Sequence, residues 1–122
     1  MSTQISKNKL GKKLLVLWSL RVRSKKQCEL CGKLGEVKDF DAHHIIRKTH
    51  EATRYDLNNG VCLCKGCHRF KVHMDTFTAS RLIDKLKIRR GQKWHDDLEE
   101  KRKITKKHSR EELECLMEEL SK

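Results

Sequence analysis

The chain has 122 residues, of which 29 are lysine or arginine and 17 are aspartate or glutamate, giving a formal net charge of +12 at pH 7. Only 36% of the residues are hydrophobic, so we expect a modest core that a bound metal would strengthen. The charge predicts a polyanionic partner, with nucleic acid the leading candidate and a merely soluble surface the alternative. The apolar run 14–18 is too short to span a bilayer, which argues against a membrane partner and favours a cytoplasmic location.

The first segment carries leucines at helical spacing, with lysines on the opposite side. The leucine face consists of Leu10, Leu14, Leu17 and Leu20 or Arg21. This pattern predicts a basic amphipathic helix over residues 7–22. We expect the leucines to pack on the core, and basic residues such as Lys12 and Lys13 to lie along a phosphate backbone.

Two Cys-x2-Cys pairs carry the strongest signal in the sequence. They consist of Cys28 with Cys31 and Cys64 with Cys67. In a reducing cytosol, thiols at this spacing are metal ligands more often than disulfides, and four thiolates are the usual ligands of a tetrahedral structural Zn²⁺. We therefore predict a closed zinc site that contributes folding energy. Cys62 and Cys115 are expected to be buried thiols, and neither is predicted to be a nucleophile.

The segment between the two cysteine pairs predicts a β-hairpin. Residues 37–46 have a composition compatible with a strand, and residues 60–64 are typical of the returning strand. The polar residues 48–58 between them favour a loop. A helix is expected near residues 65–75, directly after the second pair.

Two helices are predicted in succession beyond that point. Thr76 or Thr78 is the expected cap of the first, and Gly91 is its expected end. Its apolar positions are Leu82, Ile83 and Leu86. The second helix is expected over residues 94–102.

The last predicted helix begins at a capping box, for which Ser109 and Glu112 have the required spacing. One apolar stripe follows, made of Leu113, Leu116, Met117 and Leu120. Two interpretations stay open. The stripe closes the core, or the acidic segment 111–119 docks a protein partner.

Histidines and an asparagine occupy fixed places relative to the cysteines. Residues 41–46 are Asp-Ala-His-His-Ile-Ile, Asn59 stands five residues before the second pair, and His68 follows it directly. This order resembles the HNH endonucleases of the ββα-metal class, over about residues 27–76. The flanking helices resemble, more loosely, those of phage-encoded, recombination-type HNH proteins.

The resemblance implies an α+β fold with a small ββα-metal zinc-knuckle core, made of a β-hairpin and a helix, between flanking N- and C-terminal α-helices. We expect a single domain over residues 1–122. Its parts would be a basic N-terminal helix within 1–26, the core with the four-cysteine zinc site at 27–76, and C-terminal helices within 77–122.

The resemblance also implies roles for individual residues. His44 would be the general base, and His43, at a position where many relatives have Asp, would be a metal ligand. His68 would be a second ligand. Asn59, rather than its neighbour Asn58, would hold the loop and orient the base or, as in some relatives, meet the metal.

His73 is implied as a third ligand of the same catalytic ion. It lies five residues beyond His68, about 500° around a regular α-helix and therefore off the same face. The ion itself stays open among Mg²⁺, Mn²⁺, Zn²⁺ and Ni²⁺, although imidazole ligands suit the last three better than Mg²⁺.

Basic residues flank the predicted site and are expected to bind DNA. They include Arg47, Lys48, Arg54 and Arg69. Arg54 is expected to touch DNA near the scissile phosphate; the alternative is a structural ion pair with Asp56 or Asp41. His50, His95 and His108 have no comparable neighbours in the sequence and are expected at the surface.

Two functions from different classes follow. The first is a metal-dependent DNA endonuclease that leaves 5′-phosphate and 3′-hydroxyl ends, with DNA as its partner. The alternative is a non-catalytic, zinc-stabilised DNA-binding module, either a regulator or a recombination accessory factor. In that alternative, His43 and His44 face opposite sides of a strand and support the fold. A protein partner or a homodimer stays open in both.

Overall fold

The fold is described by a computed structural model that covers residues 5–73 and 75–122. Helix α1 (Lys7–Arg23) precedes strand β1 (Phe40–His44), helix α2 (Glu51–Arg54) and strand β2 (Gly60–Cys64). A π-helix (Cys67–Val72) then leads to helices α3 (Thr76–Arg90), α4 (Gln92–Arg102) and α5 (Arg110–Ser121). The predicted α+β class, a hairpin with flanking helices and a four-cysteine cluster, is confirmed.

Helix α1 buries a face that only partly matches the one its leucines predicted. Its buried residues are Leu10, Leu14, Trp18 and Val22, spaced four apart, so they form one row along the helix. Leu17 is half-buried and packs against the core, whereas Leu20 is 44% exposed, so the predicted leucine stripe was wrong at Leu20. The reason is the close contact between the end of α1 and strand β2, where an indole and a valine fill the space.

Gly60, the first residue of β2, permits this contact. A Cβ atom there would come within 2.9 Å of Trp18 Cζ2 and closer still to the side chain of Val22. Any larger residue would therefore push β2 away from α1. Strand β2 is buried along its whole length.

The two strands form an antiparallel hairpin whose register pairs Phe40 with Cys64 and His44 with Gly60. Strand β2 has the predicted bounds. Strand β1 is shorter than the predicted 37–46, because a 3-10 turn (Val37–Asp39) precedes it. The predicted loop 48–58 also contains regular structure, since α2 and part of a second 3-10 turn (Leu57–Asn59) lie within it.

Helix α3 begins at a different cap from the one predicted. The backbone N–H of Phe77 donates to the side chain of Asp75, so Asp75 is the cap rather than Thr76 or Thr78. The helix ends at Gly91, as predicted, where a φ of 96° favours glycine. Leu82 and Leu86 are its buried residues.

Helix α5 packs against α1 and closes the core. The predicted capping box is present, with Ser109 accepting from the Glu112 N–H and Glu112 accepting from the Ser109 N–H. Leu113 and Leu120 are buried, and the rest of the apolar stripe packs against the core. Cys115 is exposed, so its predicted burial was wrong. Within the described ranges, no helix combines the length and apolar character needed to cross a membrane.

Candidate functional site

The four paired cysteines converge on one point. The sulfur atoms of Cys28, Cys31, Cys64 and Cys67 all lie within 4.8 Å of one another. The Cys31 and Cys64 sulfurs are 3.8 Å apart, far beyond a disulfide bond of about 2.05 Å. Four converging thiols are the donor set of a structural zinc, so these residues fit the predicted ion.

Each cysteine pair forms its own turn around the sulfur of its first residue. The Cys31 N–H donates to Cys28 Sγ and the Cys67 N–H donates to Cys64 Sγ. Burial opposes ionisation of the Cys28 thiol, but backbone hydrogen bonds outweigh it and lower its pKa to about 7, which favours the thiolate that a metal needs. Cys62 lies outside the cluster, and burial raises its pKa to about 11. Its predicted burial is confirmed.

A buried carboxylate braces the first cysteine turn. Glu29 has a side chain only 7% exposed, and it accepts hydrogen bonds from Lys25, Arg90 and the Cys62 N–H. Burial opposes its charge, but these donors lower its pKa. Arg90 also donates to the carbonyl of Gly60, so one guanidinium connects α3 to both the first cysteine turn and the hairpin. The sequence analysis missed this network, because it joins residues far apart in the chain.

Three histidines form a second cluster. Ring nitrogens of His43, His68 and His73 all lie within 4.8 Å of one another. The Nε2 atoms of His68 and His73 are only 2.9 Å apart. Two lone pairs repel at this distance, so a proton or a cation must lie between them. Three converging imidazoles are suitable ligands for a divalent transition-metal ion.

The π-helix brings His73 into this cluster. In a π-helix the hydrogen bond joins residue i to residue i+5, so residues five apart lie one above the other. His68 lies within the π-helix and His73 directly follows its last residue. The expectation that His73 would lie off the same face was wrong, because it assumed a regular α-helix.

Asp41 holds one of the clustered rings in place. Its Oδ2 atom accepts from Nδ1 of His68 at 2.9 Å, so the other ring nitrogen, Nε2, faces the cluster. Lys65 bonds the second carboxylate oxygen at 2.7 Å, and although burial opposes the charge, these two partners lower the pKa of Asp41. The sequence analysis missed this role, although Asp41 stands two residues before His43 and therefore on the same strand face.

His43 is half-buried in strand β1. Burial, followed by the neighbouring imidazoles of His68 and His73, lowers its pKa to about 4. The ring is therefore neutral at cellular pH and retains a lone pair for a cation.

His44 points away from His43 and lies on the indole of Trp18. Its Nε2 is 2.9 Å from the carbonyl oxygen of Arg54. A carbonyl only accepts, so Nε2 carries the hydrogen and Nδ1 carries the lone pair. Burial is the main reason that the pKa of His44 is lowered, and the ring is therefore neutral at cellular pH.

Asn59 is fully buried and holds the loop that follows β1. Its Oδ1 accepts from the Ile46 N–H at 2.7 Å, and its Nδ2 donates to the carbonyls of Ile46 and Thr53. Thr53 immediately precedes the residue whose carbonyl holds His44. The asparagine therefore contacts the loop backbone, in keeping with the first role expected for it, and reaches the His44 ring only through that loop.

Both adjacent histidines border the same cleft, although they face opposite sides of β1. The cleft has a volume of about 490 Å³. Its walls include all four site histidines, the side chains of Leu15, Trp18 and Ser19 on α1, and the basic residues Arg47 and Lys48. A single hollow therefore joins the histidine cluster, the His44 ring and exposed positive charge.

The predicted DNA-binding residues differ in their exposure and in the partners that they already bind. Lys12, Lys13, Arg47, Lys48 and Arg69 are exposed, and Arg69 also pairs with Asp41 at 3.8 Å. Arg54 is half-buried, donates to the carbonyl of Lys48 and pairs with Glu51 at 3.8 Å. The alternative expected for Arg54, an ion pair with Asp56 or Asp41, was wrong, because Asp56 pairs with Lys101 and Asp41 with Lys65 and His68.

The remaining histidines are less exposed than predicted. His108 has a side chain only 12% exposed and lies against Glu51 and the ring of Tyr55. His50 and His95 are half-buried. None of the three belongs to a metal-ligand cluster among the described residues.

Both clusters lie within a segment that matches a known protein family. The family model described as HNH endonuclease matches residues 28–73. This HNH segment begins at the first zinc-cluster cysteine and ends at the last clustered histidine. It indicates a nuclease-type function that binds or cleaves DNA. No curated protein and no solved structure was found to match the chain. The looser likeness to phage-encoded recombination proteins stays a prediction.

Proposed function

We propose that this protein is a metal-dependent DNA endonuclease in which His44 is the general base. The observation that carries the proposal is the shared cleft. It places a neutral, oriented imidazole beside a cluster of three more imidazoles and a basic rim. The HNH segment supports a nuclease-type domain with DNA as its substrate.

The base is oriented for proton transfer. The Arg54 carbonyl holds the hydrogen of His44 on Nε2, and Trp18 supports the flat of the ring. Nδ1 is then free to take a proton from water as the water oxygen bonds to phosphorus and the bond from phosphorus to the 3′ oxygen breaks. The products are a 5′-phosphate and a 3′-hydroxyl. Asn59 keeps the Arg54 carbonyl in place through its bonds to the loop.

The histidine cluster is the proposed binding site of the catalytic ion. His43, His68 and His73 would hold it, and Asp41 would orient His68, as carboxylates commonly do behind metal-binding histidines. A divalent ion there would offset charge on the scissile phosphate and on the leaving oxygen. Nitrogen ligands suit Zn²⁺, Mn²⁺ or Ni²⁺ better than Mg²⁺. The separate four-cysteine site would hold the structural zinc.

Basic residues on two elements are the proposed DNA contacts. Arg47 and Lys48 line the cleft itself, and Lys12 and Lys13 are exposed on α1, whose Leu15 and Ser19 reach the same cleft. Arg69 is exposed on the π-helix. We expect Arg54 to act on DNA mainly by holding the Lys48 backbone in place, because its guanidinium already bonds that carbonyl.

The proposal is tested by nicking of supercoiled plasmid. Zinc-loaded protein is incubated with plasmid and with Mg²⁺, Mn²⁺, Zn²⁺ or Ni²⁺ in turn, and the ends are analysed for 5′-phosphate. We expect nicking with at least one ion, its loss when that ion is chelated, and unchanged nicking by a His95→Ala control. Binding to DNA without nicking in any ion would contradict the proposal and support the non-catalytic DNA-binding module.

A further inference from the structure

Two phenylalanines near His68 and His73 in the sequence are largely exposed to solvent. Phe70 is 75% exposed and Phe77 is 81% exposed. The other tryptophan, tyrosine and phenylalanine side chains of the chain are all buried; they are Trp18, Phe40, Tyr55 and Trp94. Leaving two large rings in water forgoes the stabilisation that burial provides. Two such rings within one short segment therefore indicate a binding surface.

Both rings belong to the segment that carries His68 and His73. Phe70 lies in the π-helix between the two histidines. The Asp75 N–H donates to the carbonyl of Lys71, and the Phe77 N–H donates to the carboxylate of Asp75. The start of α3, with Phe77, is thereby fixed to the end of the π-helix.

The surface around these rings is positively charged. Arg69 and Lys71 flank Phe70 and are exposed, and Arg81 is exposed one turn beyond Phe77. The two nearby carboxylates are already engaged. Asp41 bonds Lys65 and His68 and also pairs with Arg69 at 3.8 Å, and Asp75 accepts from the Thr78 hydroxyl and the Phe77 N–H. Exposed rings on a cationic surface complement a partner that combines negative charge with flat apolar faces.

We propose that Phe70 and Phe77, exposed on the basic surface that includes Arg69, Lys71 and Arg81, form an aromatic wedge whose rings insert between base pairs of bound duplex DNA. The position of the DNA rests on the proposed nuclease function. Proteins that insert apolar side chains between base pairs partly unstack them and bend the duplex. The wedge would therefore favour DNA whose stacking is already weak, such as a mispaired duplex or a flexible pyrimidine–purine step.

The wedge is tested by binding, without added divalent ion so that the DNA stays intact. Zinc-loaded wild type and the double variant Phe70→Ala/Phe77→Ala are titrated with two labelled duplexes that differ only in one central mismatch. The control is Ile88→Ala, an isoleucine that is 85% exposed on the same helix, roughly 16 Å along its axis from Phe77. A fluorescent 2-aminopurine in the paired duplex reports unstacking.

We expect wild type and the Ile88→Ala variant to bind the mismatched duplex about tenfold more tightly than the paired one. The double variant should bind both duplexes almost equally. Binding of wild type should raise the 2-aminopurine fluorescence, and binding of the double variant should not. Circular dichroism and zinc content establish that all three proteins are folded.

Several results would overturn the wedge while leaving the proposed function intact. In one, the double variant keeps both the mismatch preference and the fluorescence rise. In another, the fluorescence changes only in single-stranded DNA, which would mean stacking on unpaired bases. In a third, the phenylalanines bind anionic lipid vesicles and have no effect on DNA binding. Failure of the wild type to bind any DNA would instead overturn the proposed function together with the wedge.

Discussion

The imidazole of His44 lies flat on the indole of Trp18, with ring centroids 3.9 Å apart and planes 15° apart. The indole is itself fixed, because its Nε1 donates to the carbonyl of Asp56 at 2.9 Å. Trp18 belongs to α1, outside the HNH segment. The candidate active site is therefore completed by a helix beyond the matched residues, and the support of the His44 ring depends on how α1 packs against the hairpin.

Replacing Trp18 tests whether this support matters. Trp18→Leu removes the flat surface under His44, whereas Trp18→Phe retains an aromatic face and loses the bond to Asp56 together with part of the buried indole volume. We expect Trp18→Leu to cost about 3 kcal/mol of stability and to slow nicking at saturating DNA. Trp18→Phe should nick faster than Trp18→Leu. Wild-type nicking by a folded, zinc-loaded Trp18→Leu protein would show that the stack has no part in the reaction.

Removing His73 tests the histidine cluster. We expect His73→Ala to weaken binding of Mn²⁺ or Ni²⁺ by more than tenfold, because one of three converging nitrogens is lost. The tightly held zinc should remain, since the four cysteines are untouched. Calorimetric titration measures the first quantity and elemental analysis the second. His95→Ala, outside the cluster, is the matched control, and equal ion affinities in the two variants would remove His73 from the ligand set.

Asp41→Asn tests the residue behind the cluster. The amide oxygen can still accept from His68 Nδ1, but the negative charge is gone. We expect ion affinity to fall about 10–100-fold, as is usual for a partner that orients a ligand. The control is Asp97→Asn, which changes an exposed ion pair with Lys93. An affinity equal to that of the wild type would mean that Asp41 forms a surface ion pair with Lys65 and does not prepare His68 for ion binding.

Glu29→Gln tests the brace behind the zinc turn. The change leaves the guanidinium of Arg90, whose side chain is 16% exposed, without its anion, and removing one partner of a buried pair costs up to about 3–5 kcal/mol. Urea unfolding of zinc-loaded protein measures this loss. Glu100→Gln, in an exposed pair with Lys103, should change stability little. A Glu29→Gln protein as stable as this control would contradict a structural role for the network.

Features that depend on neighbouring residues were predictable from the sequence. The four-cysteine cluster is set by two pairs with a two-residue spacing, the bounds of β2 by its apolar run, the end of α3 by Gly91 and the start of α5 by the Ser109 capping box. In each case a few adjacent side chains fix the local backbone. The same local signals gave the order of the hairpin and the helices around it.

Features that depend on packing or on an irregular backbone were not predictable in this way. Nothing in the spacing of His68 and His73 distinguishes a π-helix from an α-helix, although the difference brings the two rings together. The stack of Trp18 on His44 and the Glu29–Arg90 pair join residues that meet only after the chain has folded. Helical spacing of the leucines also missed Trp18 and Val22 in the buried row of α1, because the end of that row is set by contact with β2.

The most direct test of the central claim is the nicking rate of His44→Ala under single-turnover conditions, with the ion that best supports the wild type. The account predicts a fall of about 10²–10⁴-fold, the usual contribution of a general base, while zinc content, ion binding and DNA affinity stay at wild-type values. A folded His44→Ala protein that nicks at the wild-type rate would contradict it.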